Sequence, residues 1–229
     1  MDECFENLNS ALFKGISPEE LKVMLGCLGY HTGNYKKGEI VFHEGSELRH
    51  IGVVLSGAVD IVKEDIMGDR NAYARIFCGE VFGMAFACGT DRQTAVSYVA
   101  AEDSKLLFLP IERVMNSCDN SCRFHQKLVV NLAMLIADES RKFVNKLEIV
   151  TKRSIREKLL TYLYAQSQQK NNDYFEIPLG RIELADFLCV DRSALTRELA
   201  KLKKEGLVDY DRNCFRVMWD KAFEQLNRT

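Results

Sequence analysis

Hydrophobic and polar positions change their spacing twice along the chain. After a helical start at residues 5–29, short stretches rich in β-branched and aromatic residues run from about residue 30 to 109, separated by glycines. After Pro110 the apolar residues return to a helical spacing, and residues 121–150 contain neither glycine nor proline. The pattern predicts a β-rich domain followed by a long helix.

The β-rich region has short predicted strands at regular spacing with glycine turns, which favours a β-sandwich or barrel. The predicted strands are residues 39–43, 51–55, 58–63, 73–77 and 106–109. Ahead of them, Ser17 and Pro18 form a helix start signal, and Leu21, Met24, Leu25 and Leu28 follow at helical spacing. We therefore expect a helix just before the β-domain.

The long helix carries apolar residues on a seven-residue repeat. The repeat consists of Val129, Ile136, Phe143 and Val150, with Leu132, Ala133 and Leu147 beside them. Thirty helical residues span roughly 45 Å, which is longer than a compact domain usually needs. We expect this seam to pair with its own copy in a coiled coil, although Glu139 and Lys146 make it imperfect. The alternative is a helix that lies across the β-domain.

Residues 182–205 predict two short helices joined by a tight turn at residues 189–191. Apolar residues line one side of each helix: Ile182, Leu184, Ala185, Phe187 and Leu188 in the first, and Leu195, Leu199 and Leu202 in the second. Asp191 is placed to cap the second helix. Its polar side carries Arg192, Ser193, Thr196 and Arg197. Because arginine can bond guanine and hydroxyl groups can reach bases or phosphates, we interpret this segment as a helix-turn-helix for the DNA major groove. The alternative is an ordinary helix corner with solvated charges.

A hairpin pattern follows the second helix. Gly206 ends that helix, and the alternating residues 207–210 and 214–217 flank a turn at residues 211–213. Helix, turn, helix and hairpin together predict a winged helix. Residues 151–154 form a polar break, which we interpret as the hinge before this domain.

Composition narrows the class of protein. With 229 residues, 47% of them hydrophobic, the chain can fill two modest cores. No run of eighteen apolar residues occurs and the N-terminus is acidic and polar, so we expect a cytoplasmic protein that does not bind membranes. Residues 151–229 hold 15 Lys and Arg against 12 Asp and Glu, whereas residues 1–150 hold 16 against 21, which favours a negatively charged partner for the C-terminal part. No catalytic constellation or P-loop is visible, so we do not expect an enzyme.

The eight cysteines are expected to stay reduced. Two of them form a cluster with one histidine in the sequence. Cys118, Cys122 and His125 are spaced so that all three face one way on a helix, which would suit a soft metal ion. A disulfide between the two cysteines is a separate hypothesis and needs α-carbons within about 7 Å. A purely structural role is the third.

Three motifs stand in a fixed order along the chain. They are YKKGEIVFHEG at residues 35–45, LSGAV at residues 55–59, and the segment from Leu184-Ala185-Asp186 to Thr196-Arg197. Their order and spacing resemble the cyclic-AMP receptor and fumarate–nitrate regulator (Crp/Fnr) family of bacterial transcription factors, over about residues 12–218. The resemblance implies an α+β fold: an N-terminal double-stranded β-helix (jelly roll) like that of cyclic-nucleotide-binding domains, a long dimerisation helix, and a C-terminal winged helix-turn-helix. It also implies an effector domain at residues 1–110, a dimerisation helix at 111–150 and a DNA-binding domain at 151–229.

The resemblance also places an effector site. In the members of the family that bind cyclic nucleotides, a Glu holds the ribose and an Arg pairs with the phosphate. This chain aligns there as Gly83, Met84 and Ala85, then Gln93 and Thr94, so both charged groups are missing. Arg92 is one residue away, but a one-residue offset in a strand turns a side chain to the opposite face. We expect these five residues to hold a weakly polar effector other than cyclic AMP; the alternative is a vestigial pocket filled by Met84 and Phe86.

Cofactors and partners follow from the same comparison. Cys4 and Cys27 lie too far apart in sequence for the iron–sulfur cluster of the oxygen-sensing branch, and each histidine stands alone, so we expect neither that cluster nor haem. The expected function is a homodimeric regulator that couples an effector to a palindromic operator in double-stranded DNA, with RNA polymerase as a candidate partner. Two alternatives stay open: a redox- or metal-responsive regulator that uses Cys118, Cys122 and His125, and a ligand-sensing module that does not bind DNA.

Overall fold

The computed structural model describes residues 9–64, 67, 70–116, 123–170, 172 and 174–226. The chain divides into two compact units, residues 1–139 and residues 140–229. Each unit has its own hydrophobic core. The predicted domain boundaries at residues 110 and 150 divide the chain by the expected role of each segment rather than by compactness. They therefore stay a prediction.

The N-terminal unit combines short helices with two antiparallel four-stranded sheets. Its helices are α1 (Pro18–Leu28), α2 (Met84–Ala87), α3 (Ile111–Met115) and the first part of α4 (Arg123–Val150). Its strands are β1 (His31–Tyr35), β2 (Ile40–Phe42), β3 (His50–Ser56), β4 (Ala58–Glu64), β5 (Arg70–Phe77), β6 (Val81–Phe82), β7 (Ser97–Ala100) and β8 (Ser104–Pro110). One sheet has the strand order β1-β8-β3-β6 and the other β2-β7-β4-β5.

Apolar side chains from both sheets and from α1 meet in one core. The connection between β3 and β4 depends on Gly57, which has a φ of 81°. A side chain at this position would also overlap Ser104, whose hydroxyl accepts a hydrogen bond from the Ala58 amide at 3.1 Å. Glycine is therefore the residue that fits both the left-handed turn and the close approach of β8.

Helix α1 begins where the sequence predicts. Ser17 accepts a hydrogen bond from the Glu20 amide at 3.3 Å, and the Glu20 carboxylate accepts one from the Ser17 amide at 2.9 Å. This reciprocal cap satisfies two amides that the first turn leaves free. Residues 11–13, in the helical stretch predicted ahead of Ser17, form a single 3-10 turn rather than an α-helix, and Gly15 takes a positive φ of 74° between this turn and α1.

Helix α4 confirms the predicted long helix but not its predicted seam. Leu132 is 1% exposed in the N-terminal core, and Ile136 packs against the same core. Of the predicted seam, Phe143 and Leu147 stay exposed, and so do Val130, Met134 and Val144, which the repeat did not include. The first half of the helix thus supplies a core face at some of the predicted seam positions, which a seven-residue repeat alone does not separate from an interface; the predicted pairing with a second copy stays a prediction.

The C-terminal unit is a winged helix-turn-helix that follows the end of α4. Its further helices are α5 (Ile155–Lys170), α6 (Arg181–Leu188), α7 (Arg192–Lys204) and α8 (Trp219–Leu226). Its strands are β9 (Tyr174–Glu176), β10 (Val208–Asp211) and β11 (Cys214–Val217), with β11 between the other two. The predicted hairpin is therefore confirmed, and β9 adds a third strand to it. Ile149, near the end of α4, is 4% exposed in the core of this unit.

The two units together confirm the predicted α+β fold, with a β-domain, a long helix and a winged helix in that order. The predicted strands match β2, β3, β4, β5 and β8 to within a few residues. In the part of the chain that the structure describes, no helix is both long and apolar enough to cross a membrane.

Candidate DNA-binding surface and effector site

The second helix of the helix-turn-helix, α7, is fixed by a cap and by one apolar face. The Asp191 carboxylate accepts hydrogen bonds from the Ala194 amide at 3.0 Å and from the Ser193 hydroxyl at 2.6 Å. These hydrogen bonds, that of the Ser193 hydroxyl foremost, lower the pKa of Asp191. Leu195, Leu199 and Leu202 are almost fully buried. The predicted cap and the predicted core face are both confirmed.

The four predicted DNA-reading residues lie together on the solvent side of α7. Arg192, Ser193, Thr196 and Arg197 are all exposed. Their helical positions fall within an arc of about 140° because each residue advances by roughly 100°. Without DNA, Thr196 donates to the Arg192 carbonyl oxygen at 2.9 Å, and Nε of Arg197 donates to the Ser193 carbonyl oxygen at 3.3 Å. The side chains of Arg192 and Arg197 therefore extend from the first two turns of α7. A recognition helix presents side chains to base edges from this part of the helix.

The turn before α7 contains a strained residue. Cys189 ends α6 with φ 52° and ψ 56°, a left-handed conformation, and its amide donates to carbonyl oxygens of α6. The thiol is exposed. Glycine usually occupies such a position because a β-carbon is unfavourable there. The turn geometry of a helix-turn-helix is thus kept at a local cost in stability.

The wing contains positive residues that the sequence analysis did not single out. Arg212 lies at the hairpin turn with φ 49°, and Arg216 is exposed on β11. The guanidinium of Arg181 lies 4.9 Å from the Tyr210 ring centre and 5.0 Å from that of Phe215, and donates to the Arg212 carbonyl oxygen at 2.7 Å. Burial lowers the pKa of Arg181. Cation–π contacts and this hydrogen bond hold the wing turn; the sequence pattern predicted the hairpin but not these contacts.

The five predicted effector residues lie at the start of α2 and in the segment before β7. Gly83, Met84 and Thr94 are buried, whereas Ala85 and Gln93 are exposed. Met84 belongs to the N-terminal core, and Phe86 packs against that core. The Thr94 hydroxyl donates to the Val96 carbonyl oxygen at 2.8 Å, so its own chain occupies it.

Tyr98 also lies beside the predicted effector residues, and the sequence pattern did not single it out. Its side chain is 3% exposed, and burial raises the pKa of Tyr98 to about 12 although a hydrogen bond from the Gly83 backbone opposes this shift. Its ring centre lies 5.4 Å from that of Phe82 and 5.9 Å from that of Phe42. The neutral Tyr98 hydroxyl therefore contacts the backbone at the start of α2. Aromatic rings pack around the Tyr98 ring in the core.

Arg92, one residue before Gln93, is held by a partner of its own. Its Nη1 donates to Oε1 of Glu112 at 3.0 Å. Such a pair satisfies the guanidinium and holds it at the first turn of α3. The side chain is 31% exposed, so the pair lies near the surface.

The metal or redox cluster is only partly described. Cys118 and Cys122 lie outside the described residues. His125 is 5% exposed, and its Nε2 lies 2.8 Å from the Val114 carbonyl oxygen. Among the residues that the structure describes, no three His, Cys, Asp or Glu side chains are grouped closely enough to hold a metal ion. His125 therefore has a structural contact, and the hypotheses for the two cysteines stay predictions.

Two known families match the chain in the order of its domains. Residues 32–121 match the cyclic nucleotide-binding domain, and residues 157–223 match the Crp-like helix-turn-helix domain. The Cyclic AMP receptor protein of Thermus thermophilus is 28% identical over 199 residues, covering 87% of this chain and 88% of that protein.

Solved structures agree with this domain order. The Catabolite Activator Protein of Thermus thermophilus superposes with a TM-score of 0.54 and 26% identity, covering 95% of this chain and 98% of the other. The c-di-GMP-responsive global regulator CLP of Xanthomonas campestris superposes with a TM-score of 0.57 at 16% identity, covering 86% of this chain and 97% of that one. The latter likeness concerns the fold alone.

The strained turn gives a stability prediction. A left-handed conformation costs a non-glycine residue roughly 1–2 kcal/mol, whereas glycine loses roughly 0.5–1 kcal/mol more in chain entropy. We expect Cys189→Gly to raise the free energy of unfolding by about 0.5–1 kcal/mol in urea denaturation. Cys189→Ala is the matched control, since it removes the thiol and keeps the strain. Equal stability of the glycine and alanine variants would contradict this account.

Proposed function

We propose that this chain, which belongs to the Crp/Fnr family of transcription regulators, acts as a homodimer that binds a palindromic operator and responds to an effector in its β-domain. The family consists of transcription regulators rather than enzymes. The observation that carries the proposal is the exposed face of α7, where Arg192, Ser193, Thr196 and Arg197 stand together opposite the buried leucines. RNA polymerase is a proposed further partner of the DNA-bound dimer.

The exposed apolar face of α4 supports the dimer. Val130, Met134, Val144 and Leu147 are 47–66% exposed, and they recur along the helix with Ala137 at steps of three, four or seven residues. Soluble proteins rarely leave such a stripe open to water, because burying it is favourable. The same stripe on a second copy is self-complementary, as a two-fold interface requires. We therefore propose the exposed apolar residues between 130 and 147 as the dimer contact, which shares Leu147 with the predicted seam but not Leu132 or Ile136.

The chemistry around Gly83, Met84, Ala85, Gln93 and Thr94 supports an effector other than cyclic AMP. A cyclic phosphate in an enclosed site needs a charged partner, and Gln93 offers only a neutral amide. Arg92 would have to give up Glu112 before it could take that role. A weakly polar molecule needs no such partner, and it would meet Gln93 together with the backbone at the start of α2.

Operator binding is tested first. Selection from random DNA should return a palindrome with half-sites about one helical turn apart. Arg197→Ala should cost on the order of 1–3 kcal/mol of binding free energy and relax the preference at one base position, because an arginine–guanine contact is bidentate. Arg153→Ala is the control, since this exposed arginine lies outside α7. Selection without a palindrome, or an Arg197→Ala variant that binds like the parent, would overturn the base-reading role.

The dimer contact has its own test. Val144 and Val23 are 66% and 64% exposed, but only Val144 lies on the proposed interface of α4. Val144→Glu should convert the dimer to a monomer in sedimentation analysis, because it would bring two carboxylates together in an apolar contact. Val23→Glu, on α1, should leave the dimer intact. A dimer that survives Val144→Glu would place the interface elsewhere.

The third test concerns the effector. Cyclic AMP at millimolar concentration should neither raise the melting temperature nor strengthen operator binding, whereas a ligand at 100 times its Kd stabilises the folded state by about 2.7 kcal/mol. Gln93→Arg is the informative variant, because it places a guanidinium where nucleotide-binding members of the family carry the arginine that pairs with the phosphate. This exposed position can take a guanidinium without disturbing the core. A clear thermal shift of the parent protein with cyclic AMP would contradict the proposal and make Arg92 the candidate phosphate ligand.

A further inference from the structure

We propose that Arg156 is a positioning residue that fixes the orientation of the recognition helix α7 and thereby sets how well Arg197 reads its base. Arg156 lies in the first turn of α5, outside the DNA-reading face. The inference rests on the proposed function in one respect, namely that α7 is the helix that reads DNA.

The guanidinium of Arg156 binds two carboxylates at once, that of Glu198 within α7 and that of Glu205, the residue that follows α7. Its Nε donates to Oε1 of Glu198 at 2.7 Å. Its Nη1 and Nη2 donate to the two carboxylate oxygens of Glu205 at 2.8 and 2.9 Å. Glu198 and Glu205 stand about two helical turns apart on one side of α7. One planar group therefore holds two residues that lie roughly 10 Å apart along the helix axis. It resists both rotation and translation of the helix.

Burial and charge make this contact stronger than a surface ion pair. The side chains of Arg156, Glu198 and Glu205 are 28%, 15% and 35% exposed. Hydrogen bonding from Arg156 lowers the pKa of Glu205, and hydrogen bonding to Glu205 raises that of Arg156. Bidentate, charge-assisted hydrogen bonds are directional, which apolar contacts are not. The buried leucines thus decide which face of α7 is inside, while Arg156 decides its angle.

Arg197 precedes Glu198 and projects about 100° from it around the helix. Whatever fixes the direction of Glu198 therefore fixes the direction of Arg197. A binding group has to be held within roughly 0.5 Å of its productive position to be effective. A small rotation of α7 about its leucine face would move the Arg197 guanidinium by more than this, without exposing the core.

The position of Arg156 in the chain adds a route to α4. Within the C-terminal unit, Ile149 is buried in the core, and the Lys146 ammonium lies 5.1 Å from the Phe187 ring centre of α6. Helix α5 begins at Ile155, five residues after α4 ends at Val150. Arg156 thus attaches the recognition helix to the first turn that follows the long helix.

The experiment compares operator binding with binding to a scrambled duplex of the same length. The variants are Arg156→Met, Arg156→Lys and the double variant Glu198→Gln with Glu205→Gln, each in the full chain. Arg75→Met is the matched control, because Arg75 makes an equally short bidentate pair with Asp60, at 2.7 and 3.0 Å, in the N-terminal unit. Melting temperature is recorded for every variant.

We expect Arg156→Met to lower the ratio of operator to scrambled affinity by about tenfold, the size expected for one interaction between groups in contact. The affinity of Arg156→Met for scrambled DNA should stay within about twofold of the parent's affinity, because phosphate contacts do not depend on the angle of one side chain. Arg156→Lys should lose less, since an ammonium keeps one contact but not the bidentate fork. The double glutamine variant should lose as much as Arg156→Met, and Arg75→Met should lose nothing.

Combining Arg156→Met with Arg197→Ala separates positioning from a merely structural role. If Arg156 acts through Arg197, the double variant loses less discrimination than the product of the two single losses. Losses that multiply, or an unchanged ratio in Arg156→Met, would overturn the inference and leave the proposed function standing. A parent protein without any operator preference would overturn both. Should Arg156→Met fail to fold, Arg156→Lys and the glutamine variant decide the same question.

Discussion

Helix α4 supplies apolar side chains to more than one contact, and the rest of the molecule depends on how they are divided. Leu128 and Leu132 are buried in the N-terminal core, and Ile149 is buried in the C-terminal core. Between them Val130, Met134, Val144 and Leu147 stay exposed. An amphipathic helix normally has one apolar stripe about 100° wide. In the part of the chain that the structure describes, one stripe of α4 packs into the cores and the other stays exposed, and the exposed stripe is the proposed dimer contact.

The β-domain keeps the architecture of a cyclic nucleotide-binding domain and changes its chemistry. Residues 32–121 match that domain, while Met84 and Gln93 stand where the resemblance to nucleotide-binding members would place charged residues. Met84 and Tyr98 are buried in the N-terminal core, and the Tyr98 ring centre lies 5.4 Å from that of Phe82. Because affinity for a phosphate depends on a few well-placed cations, a fold can lose one ligand without losing its core.

The sequence predicted the features that depend on neighbours along the chain. The cap at Asp191, the exposed set from Arg192 to Arg197 and the hairpin after Gly206 follow from local spacing, and the structure confirms them. It did not predict contacts between residues far apart in sequence. Arg156 is 42 residues from Glu198 and 49 from Glu205, and Arg181 is 31 from Arg212. The seven-residue repeat on α4 mixed core and exposed positions for the same reason, since Leu132 and Ile136 contact a core made by distant strands.

Transmission of a signal requires only a modest difference in free energy between two arrangements. Coupling between sites is typically about 1–3 kcal/mol, and it acts equally in both directions. Full burial of one large apolar side chain contributes about 1.5–3 kcal/mol. The exposed face of α4 carries several such side chains, so repacking a fraction of that face is sufficient. Ile149, near the end of the same helix, is buried in the core of the C-terminal unit. The exposed face of α4 is therefore large enough to supply the coupling energy that the proposed effector response requires.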